Sequence, residues 1–310
     1  MPLAVLFPGQ GSQRVGMADP WTADEAGRAV LEEASAVMGR DLAAECRDEA
    51  ALARTEFVQP ALLACDLAAF RALEAEGVAF AAAAGHSLGE FAALVAAGVF
   101  DLSSALRAVA IRGRAMQAAS ERLPGTMTAV IGVGPDDALR ICETARREDV
   151  LVVANENASD QVVLSGSIEA IERAEGCAKD LGARTVRLRV AGAFHSPLMQ
   201  PAVEPIRQAL GRLEFREPRF PIVSNVTGGF VSEPGEIRDV LSRHIVSPVR
   251  WRRSMLTLVE AGCETFVEAG PGRVLTKLVE RDLPMVRAVA IGTREDAATF
   301  ARAVAEEGRS

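Results

Sequence analysis

Gly85-His86-Ser87-Leu88-Gly89 is the stretch that decides the fold. An apolar run with the character of a buried strand, Val78 to Ala84, leads into it, and a helical pattern resumes at once over Phe91 to Ala97. Gly-x-Ser-x-Gly between a strand and a helix describes a nucleophile elbow, where glycines allow a turn sharp enough to present the serine at the top of a sheet. The helix N-terminus just beyond leaves N–H groups free where an oxyanion would form. Strand, sharp turn and helix are α/β grammar. A pattern with three fixed positions also recurs by chance, so the rest of the chain must decide what Ser87 does.

Working outward, Leu3 to Phe7 reads as a buried strand feeding the glycine-rich loop Pro8-Gly9-Gln10-Gly11-Ser12-Gln13. Ala26 to Met38 and Pro60 to Glu76 carry helical spacing, as does Ser103 to Ala119. Between Thr126 and Val190 the character changes. Thr126–Val133, Asp149–Ala154, Gln161–Leu164 and Arg184–Val190 read as strands, with helices over Asp136–Arg147 and Ile168–Leu181. The order β-α-β-β-α-β is the split βαβ, or ferredoxin-like, arrangement, so residues 125–191 are expected to form a subdomain inserted in a larger α/β body, 1–124 and 192–310. The body resumes with strands at Phe220–Ser224 and Thr265–Glu268.

The composition narrows the function. The 310 residues can bury a real core, and 49% apolar with 25% charged is globular composition. A net charge of −8 argues against neutralising a phosphate backbone, so no nucleic-acid partner is expected. Five scattered cysteines without CxxC or Cys/His spacing argue against a metal site and fit a reducing compartment. The start lacks a basic n-region, and the longest apolar run, Phe91 to Phe100, is short of the ~18–20 residues that span a bilayer. A cytoplasmic protein with no membrane partner is expected. Nothing calls for an obligate interface, so a monomer is expected too.

A serine needs a base, and only three histidines exist. His86 adjoins Ser87 on a tight turn and should point elsewhere. His244 ends a helical stretch, Ile237 to His244, and is expected at the surface. His195, in Gly192-Ala193-Phe194-His195-Ser196, lies where the inserted subdomain returns to the body, and such junctions form clefts. It is the favoured base. Arg107, Arg112 and Arg114 follow on one helix, and a guanidinium grips a carboxylate with paired hydrogen bonds. Spacing alone does not choose among them, and each could be a solvated helix arginine.

Eight blocks in order now carry a resemblance. Phe7-Pro8-Gly9-Gln10-Gly11-Ser12-Gln13, Gln59-Pro60-Ala61-Leu62, Gly85-His86-Ser87-Leu88-Gly89-Glu90 and Arg112-Gly113-Arg114-Ala115-Met116-Gln117 are followed by four more. These are Asn155-Glu156-Asn157, Gly192-Ala193-Phe194-His195-Ser196, Ser247-Pro248-Val249-Arg250-Trp251 and Glu268-Ala269-Gly270-Pro271-Gly272. Together the chain resembles the malonyl-CoA:acyl carrier protein transacylases, along almost its whole length. The resemblance implies an α/β-hydrolase-like body with a ferredoxin-like insert. It implies Ser87 as the acylated nucleophile, His195 as its base, and the backbone N–H groups of Gln10 and Leu88 as the oxyanion hole.

It further implies that Arg112 binds the malonyl carboxylate, that Met116 and Gln59 line the acyl pocket, and that Phe194 hinders branched acyl groups. The main-chain carbonyl of Arg250 would orient the histidine. Malonyl-CoA is then the substrate, the phosphopantetheine of an acyl carrier protein the acceptor, and no bound cofactor is needed. A basic rim of Arg250, Trp251, Arg252 and Arg253 would meet an acidic carrier. A serine thioesterase or acyl hydrolase shares Ser87 and His195 but has no need of Arg112. A non-catalytic docking module would not need all three.

Overall fold

The computed structural model describes residues 2–307; Met1 and residues 308–310, assigned above to the body, lie outside the described residues. Five apolar residues in succession, buried on both faces, make Leu3–Phe7 a central strand, β1. Helix α1 (Glu25–Met38) begins where the Asp24 carboxylate accepts the Gly27 N–H and ends at Gly39 in the left-handed conformation. Two single turns, α2 (Leu42–Glu45) and α3 (Glu49–Leu52), are capped in the same way by Asp41 and Asp48. Helix α4 (Thr55–Ala75) starts five residues before Pro60, the expected first residue. Its nearly all-round burial outweighs the N–H donor that Pro60 lacks.

Strand β2 (Ala82–Gly85) is made of three alanines and a glycine, and the elbow passes directly into α5 (Gly89–Ala96). Helix α6 (Leu102–Arg122) follows, capped by Asp101. The insert comprises β3 (Thr126–Ile131), α7 (Pro135–Arg146), β4 (Leu151–Ala158), β5 (Gln161–Gly166), α8 (Ile168–Asp180) and β6 (Arg184–Arg187). The chain then returns through α9 (Gln200–Leu210), β7 (Ile222–Val223), β8 (Phe230–Val231), α10 (Pro234–Arg243) and α11 (Trp251–Glu260). It closes with β9 (Thr265–Ala269), α12 (Val274–Asp282), β10 (Arg287–Ile291) and α13 (Arg294–Glu307).

The body sheet runs β10-β9-β1-β2-β7-β8, parallel except for the β7–β8 pair, and the insert sheet runs β4-β5-β3-β6, wholly antiparallel. This is an α/β-hydrolase-like body with a ferredoxin-like insert. Several ends differ from expectation for local reasons. Strand β2 begins at Ala82 because its ladder with β1 pairs Ala4 with Ala82 through Phe7 with Gly85. Strand β7 is only two residues long, and Pro221 just before it has no N–H to give a ladder. Strand β4 continues to Ala158 through two register shifts, which keep Asn155 to Asn157 in the sheet.

One face of the insert sheet packs Val130, Leu164, Ile141 and Ile171 between the strands and α7 and α8. Its other face, with Met127, Ala129 and Val163, roofs a cleft over the elbow. The edge strand β4 is stitched to the body: Val249 N–H donates to the Ala154 carbonyl (2.8 Å) and Glu156 N–H to the Val249 carbonyl (2.9 Å). Among the described residues, no helix is long and apolar enough to cross a membrane.

Candidate active site

A cleft of about 590 Å³ lies between the two sheets, with Ser87 on its floor. Ser87 adopts φ 51°, the left-handed region that a side chain enters only at a cost of roughly 1–3 kcal/mol. The turn is tight because its neighbours are glycines. A Cβ on Gly89 would overlap the Phe7 carbonyl, and one on Gly85 the backbone of Gly89. Gly9 likewise has no room for a side chain against the His86 carbonyl, so the Pro8–Gly11 loop rests on the elbow. That packing brings Gly9, the residue before Gln10, against the backbone of His86 and Leu88. Among the described residues, neither the Gln10 nor the Leu88 backbone N–H has an acceptor within the chain, and both residues line the cleft.

His195 Nε2 lies 2.8 Å from Ser87 Oγ. Its Nδ1 faces two carbonyl oxygens, of Ser247 (3.0 Å) and His244 (3.1 Å). Carbonyls only accept, so Nδ1 carries the hydrogen and Nε2 offers a lone pair to the serine hydroxyl. Burial, with Arg112 and His86 nearby, pushes the ring down to about 3, which keeps it neutral with its Nε2 lone pair free. His195 itself sits at φ 56°. The orienting carbonyls correct the expectation for Arg250: its N–H donates to the Asn225 carbonyl, and the carbonyls that meet His195 belong to residues three and six positions earlier. The segment from His244 to Ser247 is one 3-10 turn, whose carbonyls converge, whereas Arg250 has passed on to the start of α11.

The arginines separate cleanly. Arg107 and Arg114 are exposed on α6, whereas Arg112 is 1% exposed and enters the cleft. Its NH1 donates to Gln59 Oε1 at 2.7 Å and NH2 to Ser87 Oγ at 3.2 Å, and its Nε is buried without an acceptor. Burial draws the guanidinium down to about 10, opposed by the charge of Glu90. Gln59 is fixed in turn by the Met116 sulfur at 3.4 Å and by the Gln10 amide oxygen at 3.5 Å. Phe194, 6% exposed, lines the cleft beside His195.

Other expectations need correction. His244 is not at the surface but 1% exposed, because the turn after α10 folds inward beneath the elbow. Two members of the expected basic rim are held by acids, Arg252 by Asp282 and Arg253 by two hydrogen bonds to Glu260, while Arg250 is exposed. Trp251 is wholly buried, edge-on to His86, and cannot belong to a rim. His86 does turn away from Ser87, its Nε2 lying 2.9 Å from Asn157 Oδ1.

Three residues under the elbow had no assigned role. Asn225 Oδ1 accepts the Ser87 N–H (2.7 Å), and its Nδ2–H donates to the Gly85 carbonyl (2.6 Å), which pins the strained turn from both sides. Glu90 and His244 surround that amide. The available signal was position: Asn225 follows β7 at the same end of the sheet as the elbow, and Glu90 falls in the first turn of α5. No set of three or more His, Cys, Asp or Glu among the described residues could hold a metal ion.

The site thus combines a serine, a neutral histidine, free amides and a buried guanidinium short of acceptors. The acyl transferase domain family profile matches residues 5–306. The chain is 40% identical over 293 residues to the malonyl CoA-acyl carrier protein transacylase of Escherichia coli K12, covering 93% of this chain and 95% of that one. The solved malonyl CoA-acyl carrier protein transacylase of Coxiella burnetii is similar with a TM-score of 0.95 at 36% identity, over 97% of each chain. A malonyl-transacylase solved in complex with its type II polyketide synthase acyl-carrier protein is similar too, with a TM-score of 0.94 at 37% identity, over 98% of this chain and 100% of that one.

Proposed function

Because the chain belongs to the acyl transferase domain family, we infer that it moves a malonyl group from malonyl-CoA to the phosphopantetheine thiol of an acyl carrier protein, for fatty-acid or polyketide synthesis. The observation that carries the specificity is Arg112, a buried cation whose neighbours in the cleft are neutral and whose Nε has no acceptor. A carboxylate arriving on the acyl group supplies the missing charge and an acceptor for the NH2 that now reaches Ser87 Oγ.

Transfer proceeds by two mirrored half-reactions. Ser87 Oγ attacks the thioester carbonyl carbon while His195 Nε2 takes its proton. The oxyanion rests on the N–H groups of Gln10 and Leu88, at the mouth of α5. As the carbonyl re-forms, the C–S bond breaks and the CoA sulfur receives the proton from His195, leaving malonyl-Ser87. The pantetheine thiol then gives its proton to His195, attacks the ester, and leaves as malonyl thioester while Ser87 regains its proton. Nucleophile, base and oxyanion donors are all supplied by the chain, so we infer that no resident cofactor takes part. The Ser247 and His244 carbonyls hold the imidazolium through both steps, in the role that an aspartate plays in a triad.

In this reading residues 125–191 form the lid-like smaller domain, and 1–124 with 192–310 the body that carries Ser87. Phe194 beside His195 restricts bulk at the acyl α-carbon. The five cysteines are free, in keeping with a reducing compartment, and we place the enzyme in the cytoplasm as a monomer. The test is single-turnover transfer from malonyl-CoA to a holo acyl carrier protein, with free malonate measured alongside. Malonyl on the carrier supports the reading. Malonate released with none on the carrier makes water the acceptor and the protein a hydrolase.

A further inference from the structure

The transfer chemistry uses the His244 carbonyl but not its ring, and does not use Glu90 at all. Both side chains are almost fully buried, at 1% and 2% exposure, directly under the elbow. Hydrogen positions follow from their partners. Asn225 Oδ1 accepts from Ser87 N–H while Nδ2 donates to Gly85, so it is the amide oxygen that lies 3.3 Å from His244 Nε2. Nε2 therefore carries the hydrogen. His244 Nδ1 is buried without a partner, which suits a bare lone pair and not the N–H of an imidazolium. Glu90 Oε2 accepts the Asn225 backbone N–H at 3.1 Å and lies 3.5 Å from the same His244 Nε2.

One N–H thus stands between two acceptors, and only one of them changes charge. We propose that Glu90 and His244 are a positioning pair for Ser87: with Glu90 protonated, the His244 Nε2–H holds Asn225 Oδ1, and loss of that proton draws the N–H to the carboxylate and loosens the amide that pins the Ser87 turn. The inference rests on the acylation of Ser87 read above. It matters because a serine at φ 51° keeps that conformation only while its surroundings impose it.

The charged and titratable groups facing the pair come from three elements. Arg112 of α6 faces both members, and His195 and His86 face His244. None is a carboxylate. Burial dominates, pushing Glu90 up to about 8 despite Arg112 and the Asn225 and Ser224 hydrogen bonds, and pushing the His244 ring down. An acid and a neutral imidazole, rather than an ion pair, therefore occupy the site at neutral pH. Ionised Glu90 also adds negative charge beside Arg112, which the malonyl carboxylate must then oppose.

The experiment is the rate of Ser87 acylation by malonyl-CoA, read by rapid quench and intact mass between pH 6 and 9.5. The wild-type rate constant should fall above pH 8, to about a tenth of its neutral value by pH 9. In Glu90→Gln, which keeps the amide contacts but cannot ionise, the pH 9 to pH 7 ratio should stay near one, and decline should begin only near the Arg112 limit. His244→Phe should slow acylation about tenfold or more with malonyl-CoA affinity retained, and His244→Gln, which restores a donor, should recover most of that rate. A wild-type profile flat to pH 9, or superimposable wild-type and Glu90→Gln profiles, overturns the pair's role. A wild type that forms no adduct at any pH overturns the transfer reading, and this inference with it.

Discussion

Arg112 arrives in the cleft with its Nε unpartnered and its NH2 on the very oxygen that must attack. A malonyl carboxylate supplies the counter-charge and takes over NH2, freeing Ser87 Oγ, whereas an acetyl group does neither. Arg112→Ala should lower malonyl transfer by roughly a hundredfold or more while acetyl-CoA becomes a measurable donor, as competition between the two thioesters would show. Asn225→Ala should slow acylation and cost about 1–3 kcal/mol, read by urea denaturation, since it strands the Ser87 N–H and the Gly85 carbonyl. At this scale Ser87 was legible from a short motif and His195 by elimination, whereas Arg112 was set apart from Arg107 and Arg114 only by the resemblance. Asn225, Glu90 and the ring of His244 were not, because their role exists only where β7, α5 and the turn after α10 meet. The expected Arg250 carbonyl failed for the same reason: which carbonyls of a 3-10 turn converge is a matter of three dimensions, not of order in the chain.

Among the elements, the β2–α5 bend is where backbone meets backbone. Gly89→Ala places a methyl against the Phe7 carbonyl, which no rotamer can relieve, and should destabilise the fold by about 3 kcal/mol or more. Gly176 is the opposite case. It is exposed within α8, and a methyl added there would meet open space, so Gly176→Ala should stabilise by about 0.5–1 kcal/mol, seen as a higher urea midpoint. Strand and helix order was readable from periodicity and turn residues in the insert and for the four inner strands of the body sheet, but not for its edge strands β8 and β10. The ends were less so. Pro60 reads as a helix start, yet burial carries α4 through it, and the strand reading stops at Ala154, yet bulges keep Asn155 to Asn157 in β4. Tertiary packing decided each against local preference.

Across the whole molecule, the buried titratable groups impose opposing pH dependences. His195, ordinarily near 6.5 and here about 3, gives stability that is present above 6.5 and is lost as pH falls toward 3. Glu90, ordinarily near 4.5 and here about 8, gives stability that is present below 4.5 and is lost as pH rises through 8. Glu90→Gln should therefore gain stability relative to wild type between pH 5 and 8, by about one to a few kcal/mol, measured from paired urea titrations. The same burial that sets these windows keeps His195 neutral and Arg112 hungry for an acceptor, which ties the stability of the cleft to its chemistry. The most direct test of that chemistry is peptide mapping by mass spectrometry after brief mixing with malonyl-CoA. One malonyl group on the peptide that contains Ser87, absent from Ser87→Ala and discharged by a holo carrier protein, is the predicted result. Malonyl found on another residue, or an adduct that persists in Ser87→Ala, would contradict it.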